Sequence, residues 1–299
     1  MLIRTNVKNI GDPFIVCANN CYYMYATTFD REGFEVRRSY DLKNWESMGT
    51  CLDLSNSWAE QDFWAPEVIF HNGKYVMHYS ARRKSDRSLR IGVAVSSTPE
   101  GPFIDKGVMF DFGYAAIDGH VFIDDDGERY FYYSKDCSEN IINGVHTSQI
   151  CMVKLNEDLT KVISEPVLLF GPTEPFECLY TISPTQWNEG PFMLKANGKY
   201  YLTYSGNCYG TKEYCICLAI SDRPDGGFKK DGKNPIISYK DVAEDFSGPG
   251  HNAFFTDLNG KLKITFHIHT FADKPSGNRK AVICDAKIED DTITFDLTE

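Results

Sequence analysis

Asn72-Gly73, Asp126-Gly127, Asn197-Gly198 and Asn259-Gly260 each stand between two runs rich in β-branched and aromatic residues. Such pairs tolerate the left-handed backbone that tight hairpins need, which makes them the strongest local hairpin signal a sequence carries. Asn19-Asn20 fills the same place earlier in the chain, and Asn also accepts that conformation. Around these turns five segments share one order: a small polar or acidic opening with Pro or Gly, an apolar run, the turn, an aromatic-rich run, then a third alternating run. The openings read Gly11-Asp12-Pro13-Phe14, Trp64-Ala65-Pro66-Glu67, Ile117-Asp118-Gly119-His120, Asn188-Glu189-Gly190-Pro191 and Gly250-His251-Asn252-Ala253. Downstream of each lies a short polar-aromatic run (NWESMG, PFIDKG, EPVLLF, GGFKKDG, TITFDL) that supplies a fourth, outer strand.

Five repeats of four antiparallel strands predict an all-β, five-bladed β-propeller with its blades around a central channel. A single unit spanning 1–299 is expected, with blades starting near residues 11, 64, 117, 188 and 250; a β-sandwich is the alternative. The longer stretch 155–187, with its Pro, Glu and Trp, is expected to be an active-site loop. The net charge of −11 disfavours nucleic acid and anionic membranes as partners, and no apolar run reaches the roughly 20 residues of a membrane helix. The opening MLIRTNVKNI has no apolar signal core, so a cytoplasmic protein is expected. The ten cysteines include no C-x-x-C pair; they read as reduced, buried thiols, with zinc ligation or a disulfide framework as alternatives.

Aligned on their hairpins, the repeats place Asp12, Ala65, Asp118, Glu189 and His251 in equivalent positions at one channel mouth. Three carboxyl groups then share a pocket, where they raise one another's pKa, an arrangement suited to proton transfer. Glycoside hydrolysis needs one carboxylic acid for the leaving oxygen and one carboxylate across the sugar ring. A third can tune and position the acid.

In the order and spacing of these openings, over nearly its whole length, the sequence resembles glycoside hydrolase family 43, five-bladed propellers that release arabinose and xylose units. The resemblance implies an inverting mechanism with Asp12 as general base, Glu189 as general acid and Asp118 as the residue that tunes and orients Glu189. The two carboxyls of an inverting pair stand about 6.5–9.5 Å apart. Where the family often has proline after the middle aspartate, this chain has Gly119. Phe29 is expected as a wall of the sugar subsite or as a core residue between blades. Trp64 is a candidate to stack on sugar, Trp187 to cover the acid or line a subsite, and Arg279 to lie near substrate and acid or to be a solvated surface residue. His251 is a candidate for substrate binding, or for holding a calcium or other channel ion through water; no cofactor is expected to be required. Trp45 reads as structural, His267 and His269 as structural or loosely pocket-lining, and Asp124–Gly127 as a solvated turn. The expected activity is exo-acting cleavage of short plant-derived oligosaccharides. An α-L-arabinofuranosidase is preferred, and a β-xylosidase or an endo-arabinanase is the alternative. A phosphate-dependent glycoside phosphorylase and a silent sugar-binding propeller are rivals of other classes.

Overall fold

The computed structural model describes residues 1–28, 33–180, 182, 184–241 and 245–298. Its strands form five blades. The first holds Ile10–Ala18, Cys21–Thr28, Glu35–Ser39 and Glu46–Thr50 in that order. The second holds Ala59–His71, Lys74–Arg83, Leu89–Ser96 and Phe103–Val108, with Leu52–Asp53 added in parallel at its edge. Ala116–Ile123, Arg129–Lys135, Gln149–Lys154 and Val167–Phe170 make the third; Asn188–Ala196, Lys199–Gly206, Cys215–Ser221 and Lys229–Lys230 make the fourth. In the fifth, Gly250–Thr256, Leu262–His269 and Arg279–Glu289 run outward from the channel.

The outer place of the fifth blade holds the expected strand and a second one beside it. Thr292–Asp296 pairs with the second half of Arg279–Glu289, and Ile3–Lys8 from the start of the chain pairs with its first half. Both Ile3–Lys8 and Thr292–Asp296 therefore complete the same blade, which joins the start of the ring to its end and leaves only short outer edges.

The hairpins are also of two kinds. Asn19-Asn20, Asn72-Gly73 and Asn197-Gly198 have positive φ at both residues and join strands directly, as two-residue mirror turns do. The Asp126-Gly127 and Asn259-Gly260 turns are longer loops, closed by Ile123 against Arg129 and Thr256 against Leu262. Asp124 is not solvated in the first of these. It is buried and accepts hydrogen bonds from Lys195 and Tyr200, tying the third blade to the fourth.

Each blade is buried on both faces, so five separate cores fill the gaps between neighbours. Tyr25, Phe34 and Met77 lie between blades one and two, Ile91, Phe131 and Val153 between two and three, Tyr132, Leu202 and Tyr204 between three and four. Leu218, Ile264 and Phe266 separate four from five, and Met24, Ile15 and Ile283 separate five from one. Full burial of such a side chain contributes about 1.5–3 kcal/mol, which makes the wedge between blades the main source of cohesion. All ten cysteines are free. Trp45 is buried, with its indole N–H on the Leu42 carbonyl, a structural position as expected.

Candidate active site

Every inner strand breaks register near its start, between Gly11 and Phe14, Trp64 and Glu67, Ile117 and His120, Glu189 and Phe192, and Gly250 and Ala253. The residue after the first of each pair has positive φ: Asp12 (53°), Ala65 (46°), Asp118 (59°), Gly190 (57°) and His251 (48°). Gly190, and not Glu189, is therefore the fourth-blade counterpart of Asp12 and Asp118. Glu189 matches Gly11, Trp64, Ile117 and Gly250, one residue earlier. Successive side chains of a regular strand point to opposite faces. A bulge suspends that alternation, so both registers face the channel mouth. Pro13-Phe14 matching Pro191-Phe192 is the sequence signal that carries this offset.

Four of these bulges are clasped by the preceding blade. The Ala65 N–H donates to Thr27 Oγ1 (2.8 Å), Asp118 N–H to Ser80 Oγ (2.9 Å), His251 N–H to Ser205 Oγ (2.8 Å) and Asp12 N–H to His267 Nδ1 (3.2 Å). By register the fifth clasp belongs to Ser134, which faces Ile117 as Ser80 faces Trp64. Instead Gly190 N–H donates to Asp118 Oδ2 (3.1 Å), and the buried Ser134 hydroxyl has no hydrogen-bond partner among the described residues.

The mouth opens into a pocket of about 440 Å³ whose lining includes Asp12, Asp118, Glu189, Trp64, Trp187, His251 and Arg279. A larger groove near Lys74, Lys106 and Lys161 contains none of them. Asp12 is buried. Its Oδ1 accepts from Arg279 Nη1 at 3.0 Å and has His251 Nδ1 at 3.3 Å, while Oδ2 accepts from the Thr27 hydroxyl. Burial pushes the Asp12 pKa up, but Arg279, His251 and His267 together hold it well below the carboxylate range. His267 is neutral here, driven down to about 3 by burial and by Arg279. Asp118 and Glu189 go the other way. Burial lifts each to about 8; Glu189 and Asp12 add to this at Asp118, while Asp136 and Asp12 add to it at Glu189. Tyr214 donates to Glu189 Oε1 at 2.9 Å and moderates the effect. One pocket thus holds Asp12 below the carboxylate range and the coupled pair Asp118 and Glu189 above it.

The family model described as "Glycosyl hydrolases family 43" matches residues 7–293. The chain belongs to glycoside hydrolase family 43. A solved structure described as a thermostable family-43 glycoside hydrolase is 42% identical, with a TM-score of 0.92, over 99% of this chain and 95% of the other. The beta-D-galactofuranosidase xynD of Aspergillus niger is 27% identical over 91% of this chain and 78% of its own length. A xylosidase/arabinosidase of Bacteroides ovatus is 26% identical over 88% and 82%. Members of the family are O-glycosyl hydrolases that invert the anomeric centre.

In this family 43 hydrolase, all the expected pocket residues but one come together; Phe29 lies outside the described residues. Arg279 reaches Asp12 across Gly11, where a Cβ would stand 2.1 Å from its guanidinium, and it also lies over the Tyr209 ring at 4.8 Å. Trp64 packs beside Leu89 and Ile117. His251 turns Nδ1 to Asp12, and among the described residues no group of three or more His, Cys, Asp or Glu is placed to hold a metal ion. His269 is buried against Ser247 and the Tyr209 carbonyl, a structural role. His267 is more than loosely pocket-lining, since it clasps Asp12. Of stretch 155–187, Val167–Phe170 is the third blade's outer strand, and Glu177 is a buried anchor that takes Tyr204, Asn188 and Lys230. Tyr214, Tyr209, Asp62, Arg82 and Asp136 also line the pocket and were not anticipated.

Proposed function

We propose that this family 43 hydrolase is an exo-acting enzyme on short arabino- or xylo-oligosaccharides, with α-L-arabinofuranosidase as its preferred activity. The reading is carried by one observation: Arg279 pairs with Asp12 and holds its pKa low in the same pocket in which burial raises that of Glu189. Asp12 takes a proton from water as the water oxygen bonds to the anomeric carbon. The bond to the departing sugar breaks with its electron pair, and Glu189 gives its proton to that oxygen. Asp118 positions the Glu189 segment through the Gly190 N–H. Trp64 and Trp187 offer flat faces to the sugar, while Arg279 and His251 keep the base charged. No cofactor enters these steps.

A pocket of about 440 Å³ ringed by the blades supports removal of a terminal sugar. The names of the Aspergillus niger and Bacteroides ovatus relatives, a galactofuranosidase and a xylosidase/arabinosidase, support a furanose or pentose. The test is a panel of p-nitrophenyl arabinofuranoside, xyloside and galactofuranoside, followed by linear arabino- and xylo-oligosaccharides, with proton NMR of the first-formed anomer. Arabinofuranoside turnover with inversion is expected. Turnover of xyloside alone, release of internal fragments, or dependence on phosphate would each replace the reading with a different one.

A further inference from the structure

The second strands of the blades end at matching places, and two of these ends, at Arg82 and Asp136, reach the pocket. Two residues beyond the clasp positions Ser80, Ser134, Ser205 and His267 stand Arg82, Asp136, Asn207 and His269. Three of these are already engaged. Arg82 Nε donates to Asp62 (2.6 Å), Asn207 Nδ2 donates to the carbonyls of Phe176 and Glu213, and His269 binds Ser247 and the Tyr209 carbonyl. Asp136 is different. It is buried (6% exposed), it lines the pocket with Glu189, Ser138 and Trp187, and no cation pairs with it among the described residues. Its Oδ1 accepts the Ser138 N–H at 2.9 Å, which fixes the carboxylate, while among the described residues Oδ2 meets only the Cys137 thiol at 3.8 Å. Once a bound sugar excludes water from the pocket, a carboxylate oxygen without a proper donor is costly, and a sugar hydroxyl is a donor of the right kind.

We propose that Asp136 is a substrate-contacting residue whose Oδ2 accepts a hydroxyl of the departing sugar. The side of the pocket follows from electrostatics. The Cys137 N–H donates to Ser148 Oγ (3.1 Å) and the Asn188 N–H to the Ser148 carbonyl (3.3 Å), which sets the Asp136 segment beside the one that carries Glu189, and the Asp136 charge helps to raise Glu189; Asp136 therefore stands on the acid's flank, where the leaving oxygen must lie. This placement rests on the reading of Glu189 as the acid. Tyr214, Asp12, Asp118 and Arg279 also face Glu189. Of these, the two aspartates and Asp136 favour its protonated form, and Arg279 and Tyr214 oppose it.

Asp136→Asn keeps an oxygen for the Ser138 N–H and should fold, with Asp136→Ala as the second variant and circular dichroism as the check. In D136N, KM for an unactivated oligosaccharide should rise by about tenfold, while KM for the aryl glycoside of the same terminal sugar stays unchanged. The alkaline limb of kcat/KM on the oligosaccharide, where the acid loses its proton, should move to lower pH by about one unit. Unchanged KM on both substrates with an unmoved limb would overturn the proposal. Glu189→Gln, assayed beside it, tests the acid separately. Full oligosaccharide turnover in E189Q would remove that reading, and the KM split would still decide whether Asp136 touches the departing sugar.

Discussion

Thr27 and Ser134 occupy the same register in different blades, and their substitution should have opposite signs. Thr27 accepts from the Ala65 N–H and donates to Asp12, all buried. Thr27→Val preserves shape but strands a buried N–H, at about 1–3 kcal/mol, and removes a hydrogen bond to a charged group, at about 1.5–3 kcal/mol. A loss of about 3–5 kcal/mol is therefore expected. With an unfolding entropy of ~2.1 cal/mol/K per residue, a chain of this length loses about 1.6 °C per kcal/mol, so Tm should fall by roughly 5–8 °C. Ser80→Ala strands only the Asp118 N–H and should cost about 1–3 kcal/mol. Ser134→Ala removes a hydroxyl that has nothing to bind, and should leave stability unchanged or raise it by up to about 1 kcal/mol. The Asp12 share of the Thr27→Val loss carries a pH signature. It is fully present above the unfolded carboxylate pKa of about 3.9, and fades as pH falls through the depressed folded value. Urea melts at pH 7 and near pH 3 measure all of this. If S134A were destabilised as much as S80A, the hydroxyl would have a partner and the reasoning about the missing clasp would fail.

Glu189→Gln should be severely impaired on oligosaccharides yet much less so on a substrate with an activated phenol, whereas Asp12→Asn should lose about 10²–10⁴-fold or more on both; the reverse pattern in kcat would exchange the two roles. Asp118→Asn should stay folded but lose activity, with the alkaline limb of its pH profile moved to lower pH because a carboxylate coupled to Glu189 is gone; full activity and an unmoved limb would reduce Asp118 to scaffold. Gly11→Ala should displace Arg279 from Asp12, so the acidic limb of kcat/KM should move to higher pH; an unchanged limb would show that Arg279 does not set the charge of the base.

The blades were legible because hairpin chemistry and strand alternation are local, and five copies reinforce one another. The joining of Ile3–Lys8 to the last blade was not, because nothing local in the first residues names a partner some 280 positions away. The carboxylates stood out as polar residues at the head of apolar strands. Their register did not: alignment on the hairpins pairs Glu189 with Asp12, whereas Pro191-Phe192 against Pro13-Phe14 pairs Gly190 with it. Tyr214 and Asp136 carry no such signal because they lie just outside strands, Tyr214 before Cys215–Ser221 and Asp136 after Arg129–Lys135, where no periodicity marks the direction of a side chain. His267 looked like half of a histidine pair on one strand face, and only the neighbouring blade reveals that it holds Asp12.

The exchanged clasp at Gly190 makes one seam of the ring unlike the others. Three junctions are fastened by serine or threonine hydroxyls, and the one into the first blade by an imidazole kept neutral. The junction between the third and fourth blades is fastened by a carboxylate whose proton affinity lies near neutrality. Its grip on the Gly190 N–H is firm when Asp118 is ionised and weak when it is not, because a charged acceptor binds an N–H more strongly. The idle Ser134 hydroxyl stands at the place where a fixed latch would sit. The proton on Asp118 and the strength of this one contact therefore change together, beside Glu189, while the Asp124 ties and the apolar wedge hold the rest of the seam.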